Sequence, residues 1–295
     1  MALGLGTAQF GMSYGVSNSR GQIPADEARA ILELAALQGV NVLDTAPTYG
    51  NCEEVLGRLL PKNHSFRIMT KIHPIKSERI TPLDAQTARD TFMKSLEHLK
   101  QTQVDSLLVH LVEDLFRPGA ELLIGMMQDL KRQKLIQRLG ISVYSEEQVS
   151  RCLTLFRPDV IQVPLNVLDQ RLLLTGQLAR LHAAGIEVLA RSVFLQGLLL
   201  MDTEKMKPHF APAIGTIRRL RDTFSQAGVT PIAGALNFLK AQKEVGTTIV
   251  GVSGLDEFRQ ILTAWQADFN APMDWSVFAI QDEQILNPSR WPVSA

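Results

Sequence analysis

The chain alternates between short, apolar, β-branched runs and stretches whose apolar residues recur at helical spacing. Residues 3–9 read as a first strand. Pro24 opens a helix over 24–37, with Asp26 and Glu27 in its first turn, where the helix dipole favours carboxylates. Gly39 stops it, as a C-cap glycine does. Further strands are expected at 40–43, 67–70, 104–109, 136–141, 160–163, 186–190 and 247–250. Between them the spacing predicts helices over 52–60, 82–99, 119–133, 171–184, 212–226, 230–243 and 256–265. One more helix starts after Ser145, which with Gln148 forms a capping box.

Eight strands alternating with helices imply a parallel α/β fold. A chain of 295 residues with that count fits a closed (β/α)8 TIM barrel, one domain over residues 1–295. The rival, a doubly wound open sheet, usually carries G-x-G-x-x-G after its first strand. Here the segment is Gly4-Leu5-Gly6-Thr7-Ala8-Gln9, without the last glycine. Two segments fall outside the count. The long loop 201–212 follows strand seven and is expected to hang over the mouth. A C-terminal tail from Phe269 is also expected over the mouth. Its Trp275, Phe278 and Trp291 either line a substrate pocket or seal the barrel.

The strand ends carry the chemistry. Asp44, Lys71 and His110 each end an apolar run, and Tyr49 follows Asp44 by one short loop. A parallel barrel gathers such residues at the C-terminal mouth, because its loops converge there. A phenol, an ammonium, a carboxylate and an imidazole in one mouth form a proton-delivery device. Ser142, Gln162, Arg191, Ser192 and the run Gly251-Val252-Ser253-Gly254 stand at the other strand ends. A buried polar group without a partner costs about 1–3 kcal/mol, so a bound polar ligand is the simplest partner for this rim. The glycine-rich run entering a helix suits an anion.

Composition narrows the classes. Lys plus Arg and Asp plus Glu are 30 each, so nothing points to nucleic acid. Two cysteines far apart, Cys52 and Cys152, fit a reducing cytoplasm better than a secreted disulfide framework. The N-terminal residues do not read as a signal peptide, and no apolar run reaches membrane-spanning length. The histidines His64, His73, His98, His182 and His209 show no metal-ligand spacing, so no metal is expected.

Leu5-Gly6-Thr7, the stretch Leu43-Asp44-Thr45-Ala46-Pro47-Thr48-Tyr49-Gly50-Asn51, Thr70-Lys71 and Leu108-Val109-His110 resemble the aldo-keto reductase superfamily. The similarity continues through Gly140-Ile141-Ser142, Ile161-Gln162-Val163, Ala190-Arg191-Ser192 and Ile249-Val250-Gly251. The resemblance implies a barrel that binds a nicotinamide dinucleotide across its mouth, NADP(H) by preference, and reduces a carbonyl group. Hydride would come from the nicotinamide and the proton from Tyr49, with Lys71 lowering the phenol's pKa. Asp44 would orient Lys71, and His110 would orient the carbonyl. Ser142 and Gln162 match the positions that hold the carboxamide. Arg191 stands where many members stack an aromatic ring on the nicotinamide. Ser192, Gln196 and Gly197 would line the pyrophosphate, and Gly251, Val252, Ser253 and Gly254 the adenosine phosphate end.

Some positions depart from the pattern. Val143 replaces a frequent Asn, and Ile261 an adenine-contacting Asn. Glu257 stands near where NADPH-specific members place an Arg, which leaves NAD(H) or dual use open. Two other classes compete. A metal-dependent barrel hydrolase or lyase predicts a His-x-His strand motif, which the sequence lacks. A non-enzymatic dinucleotide-binding sensor predicts erosion of the four catalytic positions, and all are filled. The expected partner is a small carbonyl substrate, with no nucleic acid or membrane, on a monomer or small homo-oligomer. Met12, Tyr14, Phe194 and Trp275 suggest a partly apolar pocket.

Overall fold

The computed structural model describes residues 1–267 and 273–292; Phe269, where the tail was expected to begin, and the end of the 1–295 domain lie outside them. Eight parallel strands close into one barrel in sequence order. They are β1 (Ala2–Gly6), β2 (Val42–Asp44), β3 (Arg67–Ile72), β4 (Val104–Val109), β5 (Ile136–Ser142), β6 (Val160–Pro164), β7 (Glu187–Arg191) and β8 (Val245–Gly251). Helices connect successive strands, as the alternation predicts.

The barrel interior is plugged by Val42, Met69, Leu108, Val160, Leu189 and Ile249. Two glycines complete this layer because its neighbours fill their space. A Cβ on Gly4 would lie 2.6 Å from Ile249 Cδ1, and one on Gly140 2.6 Å from Val160 Cγ1. The outward strand residues, such as Leu43, Ile68, Leu107, Ile141 and Ile161, join the larger core beneath the helices. Side chains alternate faces along a strand. Each residue two positions beyond the plug therefore points inward, one layer nearer the mouth. Those residues are Gly6, Asp44, Lys71, His110, Ser142, Gln162, Arg191 and Gly251. The apolar plug thus gives the polar rim a floor.

Several boundaries differ from the sequence reading. The first strand ends at Gly6, and Ala8–Gly11 forms a helical turn. Thr7 turns the chain off the ladder by donating both its N–H (3.0 Å) and its hydroxyl (2.9 Å) to the Asp44 carbonyl. The helix expected over 171–184 is two pieces, Arg171–Leu174 and Gln177–Ala183, broken at Gly176 with φ +74°. The capping box of Ser145 and Gln148 forms as expected. The loop 201–212 holds two short 3₁₀ turns, Thr203–Lys205 and Pro208–Phe210. It packs away from the mouth, where Arg221 binds the Met201 carbonyl and Phe210 meets Trp291 at 4.9 Å.

Nor does the described tail cover the mouth. Trp275 packs edge-on against Phe238 (5.5 Å) and Phe224 (6.2 Å), and its carbonyl accepts from Gln170 at 2.7 Å. It seals helices against the loop after β6. Apolar area draws it there, toward the exposed flank of Pro231–Lys240.

Candidate active site

A cavity of about 380 Å³ opens at the C-terminal ends of the strands. Asp44, Tyr49, His110, Ser142, Gln162, Arg191, Ser192, Gln196, Gly197, Gly251, Val252 and Ser253 line it, so twelve of the fourteen sequence-assigned residues share one wall. Lys71 and Gly254 do not. Lys71 is 2% exposed and lies behind Asp44 and Tyr49. Gly254 faces outward, where a Cβ would meet Arg20 and Glu27.

Tyr49 is set by close backbone approach. A Cβ on Gly11 would lie 2.0 Å from the Tyr49 carbonyl, and one on Gly50 (φ +58°) 2.1 Å from the Gly11 carbonyl. Only glycines fit this crossing. Below it, Cys52 donates to the Thr7 carbonyl at 3.0 Å and accepts from Thr45 at 3.3 Å. Burial pushes the Cys52 thiol up to about 11, so it packs as an inert, neutral group.

Lys71 Nζ donates to Asp44 Oδ1 (2.5 Å), the Thr45 carbonyl (2.9 Å) and Tyr49 Oη (3.3 Å). All three ammonium hydrogens therefore have acceptors. Sequence reasoning expects Lys71 to acidify Tyr49. The surroundings act the other way: enclosure first, then the Asp44 carboxylate, hold the phenol well above its ordinary pKa, with Arg191 opposing. The physical reason is enclosure, which penalises the phenolate, with an ion pair rather than a lone cation beside the ring. The phenol is protonated at neutral pH. Because its oxygen accepts from Lys71, its own hydrogen is directed elsewhere, toward the cavity.

His110 stands edge-on to Tyr49, ring centroids 5.9 Å apart, with Thr48 Oγ1 3.4 Å from its Nδ1. Burial, then Lys71 and Arg191, lower its pKa from 6.5 to about 3. It is thus a neutral imidazole, able to donate one hydrogen bond without carrying charge.

Gln162 is the clearest sign of a missing partner. It is fully buried in the protein, yet neither amide atom has a hydrogen-bond partner. Ser142 shares its wall. Arg191 stacks on Tyr144, its guanidinium carbon 4.1 Å from the ring centre, and donates to Ser192 Oγ and the Val143 carbonyl at 3.2 Å each. Beyond it Ser192, Leu195, Gln196 and Gly197 all have positive φ, an unusual run for non-glycine residues. The turn is held by its own backbone, the Leu195 N–H donating to the Ser192 carbonyl and the Gly197 N–H to the Phe194 carbonyl, each at 2.9 Å. A Cβ on Gly197 would strike Ser17, so the loops after β1 and β7 meet above the cavity. Tyr14 and Gln196 join them by a 3.1 Å hydrogen bond.

Sequence reasoning gave no role to Gln9, Asn18, Thr48 or Tyr144, which also line the cavity. Asn18, Thr48 and Tyr144 end no strand, and Gln9, the end of the expected first strand, lies instead in the helical turn Ala8–Gly11. Trp275, expected in the pocket, is not on this wall. Among the described residues no three His, Cys, Asp or Glu side chains come together as metal ligands would.

The profile of the aldo/keto reductase family matches residues 2–275. The chain belongs to the aldo/keto reductase family. A D-arabinose 1-dehydrogenase of Saccharomyces cerevisiae is 31% identical over 121 residues, 39% of this chain and 36% of that protein. An aldo-keto reductase of Strobilurus tenacellus is 26% identical over 209 residues, 66% of this chain and 57% of that one. The match thus spans well under two thirds of each of these curated relatives. The fold is that of an aldo-keto reductase from Bacillus halodurans, solved in its holo form: TM-score 0.74, 19% identity, 98% of this chain and 95% of that chain. A glycerol dehydrogenase of Gluconobacter oxydans has TM-score 0.67 and 21% identity, over 91% of this chain and 87% of that one. This aldo/keto reductase fold comes with a filled set of Asp44, Tyr49, Lys71 and His110.

Proposed function

We propose that this aldo/keto reductase is a nicotinamide-dependent oxidoreductase that reduces an aldehyde or ketone to an alcohol, reversibly. One observation carries the reading. Tyr49 Oη, held at 3.3 Å by Lys71, shares a cavity with a Gln162 amide that has no protein partner. The residues fit a nicotinamide: a carboxamide has one donor group and one acceptor, the complement of what Gln162 leaves unpaired, with Ser142 beside it. Ser192, Gln196 and Gly197 would hold a pyrophosphate on the positive-φ turn, and Gly251, Val252 and Ser253 the far end. A nicotinamide bound there supplies the hydride.

The protein's part is the proton. A substrate oxygen between Tyr49 and His110 would accept hydrogen bonds from both. As charge develops on that oxygen, Tyr49 gives up its proton, and the Lys71–Tyr49 contact becomes charge-assisted. Lys71 therefore helps at the transition state without lowering the resting pKa of Tyr49. Asp44 fixes the lysine. The neutral His110 donates without adding a competing acid.

The names of the yeast and Gluconobacter relatives both point to polyhydroxylated compounds, so small sugars and polyols head the substrate panel. Two buried, unpaired cysteines fit a reducing cytoplasmic setting. The test is oxidation of reduced dinucleotide against a panel of small carbonyls, with Tyr49→Phe as control. Turnover is expected to drop by about 10²–10⁴-fold while dinucleotide binding is retained. An unchanged rate removes the assignment of Tyr49.

A further inference from the structure

We infer that the far end of the cavity takes a dinucleotide with free adenosine-ribose hydroxyls, NAD(H), and rejects a 2′-phosphate, with Glu257 as the deciding residue. This rests on reading the cavity as a dinucleotide site. It reverses the preference for NADP(H) that family resemblance alone favours.

With a nicotinamide between Tyr49 and Gln162, the rest of a dinucleotide would follow the cavity wall along the loop 192–197 to the end of β8. The wall there is Gly251, Val252, Ser253 and Glu257. A phosphate would look for two things at this place: free N–H donors at the start of the following helix, Leu255–Gln266, and an unneutralised cation. The protein's own carboxylates already hold two of these donors and the adjacent cation. Glu257 accepts from the Ser253 N–H and the Ser253 hydroxyl, each at 2.6 Å. Glu27 accepts from the Leu255 N–H at 2.9 Å.

The nearby cations are engaged too. Arg20 is held by both oxygens of Glu27, at 2.9 and 2.8 Å, and by the Ser253 carbonyl at 2.9 Å. Arg259 is paired with Asp256 at 2.9 Å. Glu27 and Asp256 thus hold the two guanidiniums in direct ion pairs, and Glu257 spends its carboxylate on Ser253 instead. A dianion placed here meets the like charge of Glu257 on the cavity wall. Ribose hydroxyls meet an acceptor, the way acidic residues hold a ribose in other dinucleotide folds.

The experiment is equilibrium titration of the full-length protein, by fluorescence with NADH and NADPH, and by calorimetry with AMP and 2′,5′-ADP. The two fragments probe this end without any nicotinamide. NADH is expected to bind at least about tenfold more tightly than NADPH, and AMP more tightly than 2′,5′-ADP. Glu257→Gln should narrow the NADH:NADPH ratio, chiefly by tightening NADPH, and Glu257→Arg should narrow it further or invert it. Melting curves check that each variant is folded. If the wild-type protein binds NADPH as tightly as NADH, the inference fails while the dinucleotide reading stands. An unchanged ratio in folded Glu257→Gln also overturns it. If neither dinucleotide binds, the cavity reading fails and the inference goes with it.

Discussion

The two ends of the barrel handle buried polar groups in opposite ways. At the N-terminal rim Arg138 donates to Asp105 at 3.0 Å and pairs with Glu187, while Ser106 and Thr247 bind the same two carboxylates at 2.6 and 3.1 Å. Donors and acceptors there answer one another within the chain. At the mouth Gln162 has no partner, His110 is held far from its ordinary pKa, and four residues after β7 take left-handed backbone angles. One end pairs its polar groups internally and the other does not, with the apolar plug between them.

That contrast breaks most visibly with a pair of lysine and arginine replacements. Lys71→Met leaves Asp44 charged and buried, and should cost about 3–5 kcal/mol of stability. It should also cut turnover, because Tyr49 loses its orienting donor. Arg138→Met leaves two carboxylates facing each other at the partly exposed rim, and should cost about 1–3 kcal/mol with kcat/KM per folded enzyme unchanged. Denaturant melts beside steady-state kinetics decide it. A catalytic defect in Arg138→Met would mean that the ends are coupled through the plug.

A smaller effect sharpens the comparison. Gln162→Leu removes a buried amide with no partner, so the variant should be as stable as the parent or up to about 1–3 kcal/mol more stable. Its affinity for a nicotinamide dinucleotide should fall. Thermal melts and a binding titration on one sample test both halves. Lost stability with retained affinity would show that the amide serves the fold.

The last effect is a slope. The folded pKa of His110, about 3, lies below its ordinary 6.5. The unfolded chain therefore takes up a proton in that window while the folded one does not. The contribution of His110 is fully present above pH 6.5 and is lost as pH falls from 6.5 toward 3. Its slope is at most about 1.4 kcal/mol per pH unit. His110→Asn should flatten this part of the stability–pH profile, measured by urea melts at a series of pH values. Equal slopes in both proteins would show that the imidazole titrates normally.

Much of the site was readable because two periodicities coincide. Alternation by two along each strand, with strands ending together, places Asp44, Lys71, His110, Ser142, Gln162 and Arg191 on one inward layer. Neither rule needs three-dimensional detail. Other features depend on distance across the chain. Lys71 was expected to acidify Tyr49, yet burial and the carboxylate of Asp44, 27 positions from Lys71, hold the phenol above its ordinary range. Arg191 found Tyr144 across the mouth, and Glu27 capped a helix 228 positions later. Tail aromatics carry no periodicity, so nothing local told Trp275 to seal a helix flank.

The sequence by itself determined the barrel, its eight strands and the polar residues that gather at their C-terminal ends, because these follow from local alternation and from which residue types end apolar runs. Only the tertiary structure decided the electrostatic state of Tyr49 and His110, the unpaired amide of Gln162, and the carboxylate-filled end at Glu257. Those are set by partners that become neighbours when the strands close, and electrostatic energy depends on distance and enclosure rather than on order along the chain.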